Sequence, residues 1–161
     1  MNRFAIKTLL LATALAFWTG CSSNNHARKE ITDNSAIKNA PLSPGIGGVR
    51  LELSCFLWRD FQPNSPPNGK PLRASVNIRA GNGQNLPAAV QPTKLYLVSG
   101  EKIWQGPLRI ERASPQIISA SASNGPKWDP GTRVDVIVEF MTADSSRHLI
   151  RAAQQLIQRT D

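Results

Sequence analysis

TRVDVIVEFM, residues 132–141, alternates apolar and polar side chains almost without a break. Val134, Val136, Val138 and Phe140 fall on one side of an extended chain, and Arg133, Asp135, Ile137, Glu139 and Met141 on the other. A period of two marks a strand with one buried face, and its β-branched and aromatic residues fit a pleated, half-buried surface. The first set is therefore the expected core face and the second the expected outer face.

Working outward, the pattern returns in residues 47–58, where Val49, Leu51, Leu53, Cys55 and Leu57 share one face and Arg50, Glu52, Ser54, Phe56 and Trp58 the other. It returns again in residues 72–80, with Leu72, Ala74, Val76, Ile78 and Ala80 opposite Arg73, Ser75, Asn77 and Arg79. Residues 94–98 and 103–111 give shorter strands separated by Ser99-Gly100, with a bulge or bend expected at Gly106-Pro107. Residues 116–122 carry the same pattern more weakly. Between these runs lie clusters of turn formers: 64–71, Gly81-Asn82-Gly83, Asn124-Gly125-Pro126, Asp129-Pro130-Gly131 and 143–146.

Residues 147–160 read two ways. Leu149, Ile150, Ala153, Leu156 and Ile157 sit at helical spacing, and Ala152-Ala153-Gln154-Gln155 forms helix well. Yet Asp144-Ser145-Ser146 follows a strong strand directly, which suits a hairpin into a closing strand, and this reading is preferred over a C-terminal helix. With it, residues 47–161 form an all-β domain of about seven short antiparallel strands. Such a domain resembles the immunoglobulin-like β-sandwich, a likeness of architecture alone, since Cys55 has no second cysteine with which to form an inter-sheet disulfide.

The N-terminus has a different character. Arg3 and Lys7 precede an apolar run, TLLLATALAFW at residues 8–18, whose length suits the core of a signal peptide and falls short of the roughly 20 residues that span a bilayer. The run ends in Thr19-Gly20-Cys21 and then Ser22-Ser23-Asn24-Asn25. This resembles the lipobox of bacterial lipoproteins, with Trp18 in place of the usual aliphatic residue. The resemblance implies a signal peptide at 1–20, cleavage between Gly20 and Cys21, diacylglycerol on the Cys21 sulfur and acylation, typically by palmitate, of the new amino group. Ser22 in the sorting position implies the outer membrane, on its periplasmic face. Each buried methylene contributes about 0.8 kcal/mol, so several acyl chains anchor stably. Residues 21–46, polar and ending in Pro41, Pro44 and Gly45, are expected to be a flexible tether.

Composition agrees with one globular domain: 161 residues, 40% hydrophobic and 19% charged. Loss of Arg3 and Lys7 with the signal peptide lowers the net charge from +8 to +6. A basic protein favours anionic partners; export makes nucleic acid an unexpected one and leaves the membrane, an anionic polymer or another envelope protein.

Motifs for chemistry are scarce. His26 and His148 are far apart, and CxxC, HExxH and GxSxG are absent, so neither a metal nor a cofactor is expected. His148 is expected in a solvated turn. Cys55 falls on a core face, where a lone thiol serves packing. Glu52, Asp60, Asp129, Asp135 and Glu139 could pair in space as glycosidase carboxylates do, but read as outward strand residues among Arg and Lys. What stands out is aromatic: Phe56, Trp58 and Phe61 cluster, while Trp104 and Trp128 lie near turns. Aromatic residues and Arg are enriched at recognition surfaces, so the candidate binding patch is Trp58, Trp104 and Trp128 with Arg59 or Lys127. The expected function is a non-enzymatic binding or scaffolding module for an envelope component. The alternative is an enzyme, or an enzyme inhibitor, acting on envelope polymers.

Overall fold

A computed structural model describes residues 34–161 except Ala89. The expected signal peptide, Gly20, Cys21, His26 and the expected tether to residue 33 lie outside the described residues. The described chain is all-β apart from one short helix and one 3-10 turn. Its elements are α1 (Asn34–Lys38), β1 (Gly45–Ile46), β2 (Val49–Asp60), β3 (Arg73–Ala80), β4 (Gln91–Ser99), β5 (Lys102–Pro107), β6 (Arg109–Ala113), β7 (Ile117–Ala122), β8 (Arg133–Met141) and β9 (Arg147–Thr160). Every segment expected to be a strand is one.

The strands hydrogen-bond in the order β5-β4-β8-β9-β2-β3-β7-β6, with β1 added beside β2. β9 holds the sequence of strands together. Its first part pairs antiparallel with β8, from Arg147 opposite Met141 to Leu156 opposite Arg133. Its last residues, Ile157–Thr160, pair in parallel with Leu57–Asp60 of β2. This corrects the expectation of a wholly antiparallel domain. The result is one mixed sheet, curled so that inner side chains from both ends meet. Leu51 and Leu57 of β2, Val76 and Ile78 of β3 and Ile118 of β7 share a core with Leu95 and Leu97 of β4, Val136, Val138 and Phe140 of β8, and Ile150 of β9.

A bulge explains the two-way pattern of β9. Val134 pairs with Gln155 but Val136 with Ala152, so residues 153 and 154 together face Asp135, and Gln154 takes φ 55°. The extra residue reverses the inward parity: Ile150 and Ala152 face the core before it, Ile157 after it. Asp135 holds the bulge, its Oδ1 accepting from the Gln154 backbone N–H at 2.8 Å. The helical spacing is thus the trace of a strand that shifts phase in order to change partners.

The sheet bends where the sequence placed Gly106-Pro107. β5 pairs with β4 as far as Pro107 opposite Lys94, and Leu108 N–H still donates to Thr93 O. Arg109 already pairs with Ser121 of β7, so the chain passes from one half of the sheet to the other within two residues.

The expected tether ends sooner than Gly47. α1 stops before Pro41, which cannot continue a helix. The following chain lies against the sheet: Ile37 and Ala40, each 2% exposed, form a second cluster with Tyr96 and Val98 of β4 and Ile137 of β8. The Arg151 N–H and guanidinium donate to Pro41 O and Lys38 O, and Leu51 N–H donates to Pro44 O. Two outward assignments on β8 are corrected, the first of them by this cover. Ile137 is fully buried in the cluster, and Glu139 is 4% exposed, its carboxylate accepting from the Tyr96 hydroxyl at 3.0 Å and the Thr93 hydroxyl at 3.1 Å.

Candidate functional site

The two outer faces of the curled sheet differ. On the β4, β8 and β9 side, residues 34–44 supply an apolar lid over Tyr96, Val98 and Ile137. On the β2, β3 and β7 side, the register lines up Phe56, Ser75 and Ser121 in one row and Ser54, Asn77 and Ser119 in the next. These rows carry polar groups and one large aromatic residue, Phe56, at 51% exposure. The Phe56 ring stacks on Trp58 at 5.4 Å, and the Arg73 guanidinium lies 5.3 Å from the Trp58 ring centre. Trp58 and Arg73 face each other across β2 and β3.

Where this face meets the β5–β6 bend, a groove of about 700 Å³ opens. Trp58 and Trp104 line it together with Arg73, Arg109, Gln105 and Asn124, and no carboxylate lies in its wall. Small residues make room: Ala74, Ala122 and Gly106 also line it and are buried. The Trp104 indole lies over Gly106 so closely that a Cβ there would sit 2.4 Å from the ring. Arg109 pairs with Glu111 at 2.9 Å, and Glu111 also accepts from the Ser121 hydroxyl at 2.6 Å. These two bonds, the hydroxyl's first, hold the Glu111 carboxyl below its ordinary range. Among the described residues, no carboxylate forms an ion pair with Arg73.

Of the five patch residues expected from sequence, Trp58 and Trp104 thus meet. The other three do not join them in the groove lining. Arg59 is 2% exposed and acts within the fold. Its Nε donates to Lys70 O at 3.0 Å, and its terminal nitrogens to Lys127 O, Trp128 O and Asn68 O. One buried guanidinium thereby ties the loop after β2 to the turn before β8. Lys127 is exposed and donates to the Asn68 side chain at 2.8 Å, while the half-buried Trp128 packs against the main core. Residues that the sequence reading passed over, Arg73, Gln105, Arg109 and Asn124, complete the groove. Arg73 carried a usable signal, an outward position on a strongly patterned strand.

The remaining candidates have local duties. Asp60 pairs with Lys70 at 2.8 Å, which lowers its pKa, and Asp135 pairs with Arg151 at 3.2 Å while holding the bulge. Asp129 O accepts from Thr132 N–H in a turn, and Glu52 sits beside Gly81. Cys55 is half-buried against the core, and burial pushes its thiol up to about 12, which leaves little thiolate for chemistry. His148 is not in a solvated turn: it opens β9, stacks on Phe140 at 5.4 Å and lies 3.2 Å from the Thr142 hydroxyl. Among the described residues, no group of three His, Cys, Asp or Glu is placed to hold a metal ion, and no helix is long and apolar enough to cross a membrane.

No protein-family model matches the chain, and neither a curated protein nor a solved structure is significantly similar to it.

Proposed function

We propose that the chain is an outer-membrane lipoprotein, held by lipid on Cys21 and facing the periplasm, whose domain is a non-enzymatic binding module for another envelope component. The observation that carries the binding reading is the contrast between the two outer faces. On one, Ile37 and Ala40 cover Tyr96, Val98 and Ile137; the other leaves Phe56, Trp58 and Arg73 beside a groove. Aromatic and Arg side chains without cover are the composition of recognition surfaces. The lipobox resemblance at Thr19-Gly20-Cys21 carries the anchor.

We also read the curled sheet as an immunoglobulin-like β-sandwich whose two sheets share β9 with β2 at one end. What supports this is the strand order. β2-β3-β7-β6 follows the A-B-E-D order of such domains, and β9-β8-β4-β5 follows their G-F-C sheet with one added strand.

The test is an affinity pull-down of the membrane-extracted protein, wild type and Phe56→Glu, with mass spectrometry of its N-terminal peptide and of what co-purifies. An acylated Cys21 and an envelope component captured by wild type but lost from Phe56→Glu are expected. An unmodified N-terminus overturns the anchor, and identical captures overturn the binding face. Separately, Cys21→Ser should move the protein out of the membrane fraction or leave its precursor uncut; unchanged fractionation would contradict lipid attachment.

A further inference from the structure

We infer that the groove between Trp58 and Trp104 is a subsite for an acidic saccharide, a uronate-type unit of an envelope polymer. This inference rests on the reading of the uncovered face as a binding surface, and it names the class of ligand.

Three features of the groove point to that chemistry together. Its volume, about 700 Å³, lies within the range of small-molecule pockets and exceeds what a single small anion needs. The indoles of Trp58 and Trp104 line it with Ala74 and Ala122, an apolar share that suits the C–H faces of a pyranose ring. Around them stand Gln105, Ser121, Ser123 and Asn124, amide and hydroxyl groups that both donate and accept. A polyhydroxyl ligand uses such a mixture, whereas a plain hydrocarbon would strand it.

The charge then selects among saccharides. Arg73 and Arg109 both line the groove, and no carboxylate does. Arg109 is already half satisfied by Glu111, so Arg73 is the cation available for a ligand. Its guanidinium lies against the Trp58 ring, 5.3 Å from the centroid. A cation–π approach of this kind uses none of the N–H groups, which match a carboxylate as a two-pronged fork. A nucleobase could also enter the groove, but its several hydroxyl and amide groups match a sugar's hydroxyls better than one base edge.

The experiment is calorimetric titration of the detergent-purified full chain with tetragalacturonate and with its methyl ester, which keeps the sugar rings and removes the charge. Binding of the acid, weakened about tenfold or more by esterification and by Arg73→Gln, is the expected result, a loss of about 1.4 kcal/mol or more. Trp104→Phe should weaken it less, and Arg73→Gln should keep the wild-type melting temperature, since Arg73 is exposed. Equal binding of the ester would overturn the inference, because the arginines would then play no part. Displacement of tetragalacturonate by inorganic phosphate or adenosine monophosphate at matched ionic strength would overturn it too, in favour of an anion or nucleotide site. If tetragalacturonate fails to bind at about 10 mM while Phe56→Glu still loses its captured component, the ligand class is wrong and the binding face stands.

Discussion

Two halves of one sheet, built from the same alternating sequence, treat their outer faces in opposite ways. On β4, β8 and β9 the outer positions include Tyr96, Val98 and Ile137, and residues 34–44 cover them. On β2, β3 and β7 they include Ser54, Ser75, Asn77 and Ser119, and no described segment joins them in an apolar cluster. Apolar area must be removed from water, whereas a hydroxyl-rich face tolerates solvent at no cost. The half that needed cover has it. The other half is left available, and its one large exposed aromatic, Phe56, stands beside the groove residue Trp58. The same contrast repeats at the scale of two neighbours. Trp58 opens onto the groove, and Arg59, one residue on, points inward to four backbone carbonyls.

The sharpest way to break the comparison is Val136→Asp set against Ser75→Asp. The first puts an unpaired carboxylate into the shared core and should cost more than about 4 kcal/mol, enough to prevent folding. The second adds the same charge to the uncovered face and should stay within about 0.5 kcal/mol. Circular dichroism melts compare the two; similar melting temperatures would mean that the faces are assigned the wrong way round.

Next comes Arg59→Met, which keeps the length of the side chain and leaves four carbonyls without their donor. About 3 kcal/mol of stability should be lost by urea denaturation, against about 1 kcal/mol for Trp58→Ser. An Arg59→Met protein as stable as wild type would return Arg59 to the surface patch. Ile37→Ala makes the two halves more alike by weakening the cover. A loss of about 2 kcal/mol is expected, with faster amide exchange at residues 37–40 than in β3. Uniform exchange would show that the segment is not a lid.

The smallest effect sits in the β8–β9 hairpin. Asp144 accepts from the Thr142 hydroxyl at 2.6 Å, the Ser146 hydroxyl at 2.7 Å and the Ser146 N–H at 3.1 Å, which lower its pKa to about 2. Its native pKa lies below the unfolded value of about 3.9, so the stabilisation is full above that value and is lost as the pH falls through about 2. A carbon-detected NMR titration should give a midpoint near 2 for wild type. In Thr142→Val, which removes the first of the three bonds, the midpoint should rise toward about 3.9. An unchanged midpoint would leave the hydroxyl without a role.

Legibility follows the range of the forces involved. The strands could be read because alternation is a local property: a residue's side on a pleated chain depends on its parity alone, as in Val134 to Phe140. Ile137 and Glu139 have outward parity too, but Ile137 is buried by a segment about 100 residues away in sequence, and Glu139 is buried with the hydroxyls of Thr93 and Tyr96, more than 40 residues away. Trp58 and Trp104 could be singled out by type, while their meeting rests on the bend at Leu108 and the pairing of Arg109 with Ser121. Arg59 differs from its expected place because charge normally signals exposure, and only the carbonyls of the loop after its own strand and of the turn before β8 make its burial tolerable.

By itself, the sequence determined the all-β class, the position of most strands and turns, and the core face of the strongest strands, since backbone preference and side-chain parity act within a few residues. Tertiary structure alone decided the rest: that β9 changes partners through the Gln154 bulge, that residues 34–44 become a lid, and that Trp58, Arg73 and Trp104 line one groove. Each of those outcomes is a choice of partner between segments far apart in the chain. Such choices are made by the burial of apolar area and the satisfaction of polar groups across the whole domain, which no local pattern encodes.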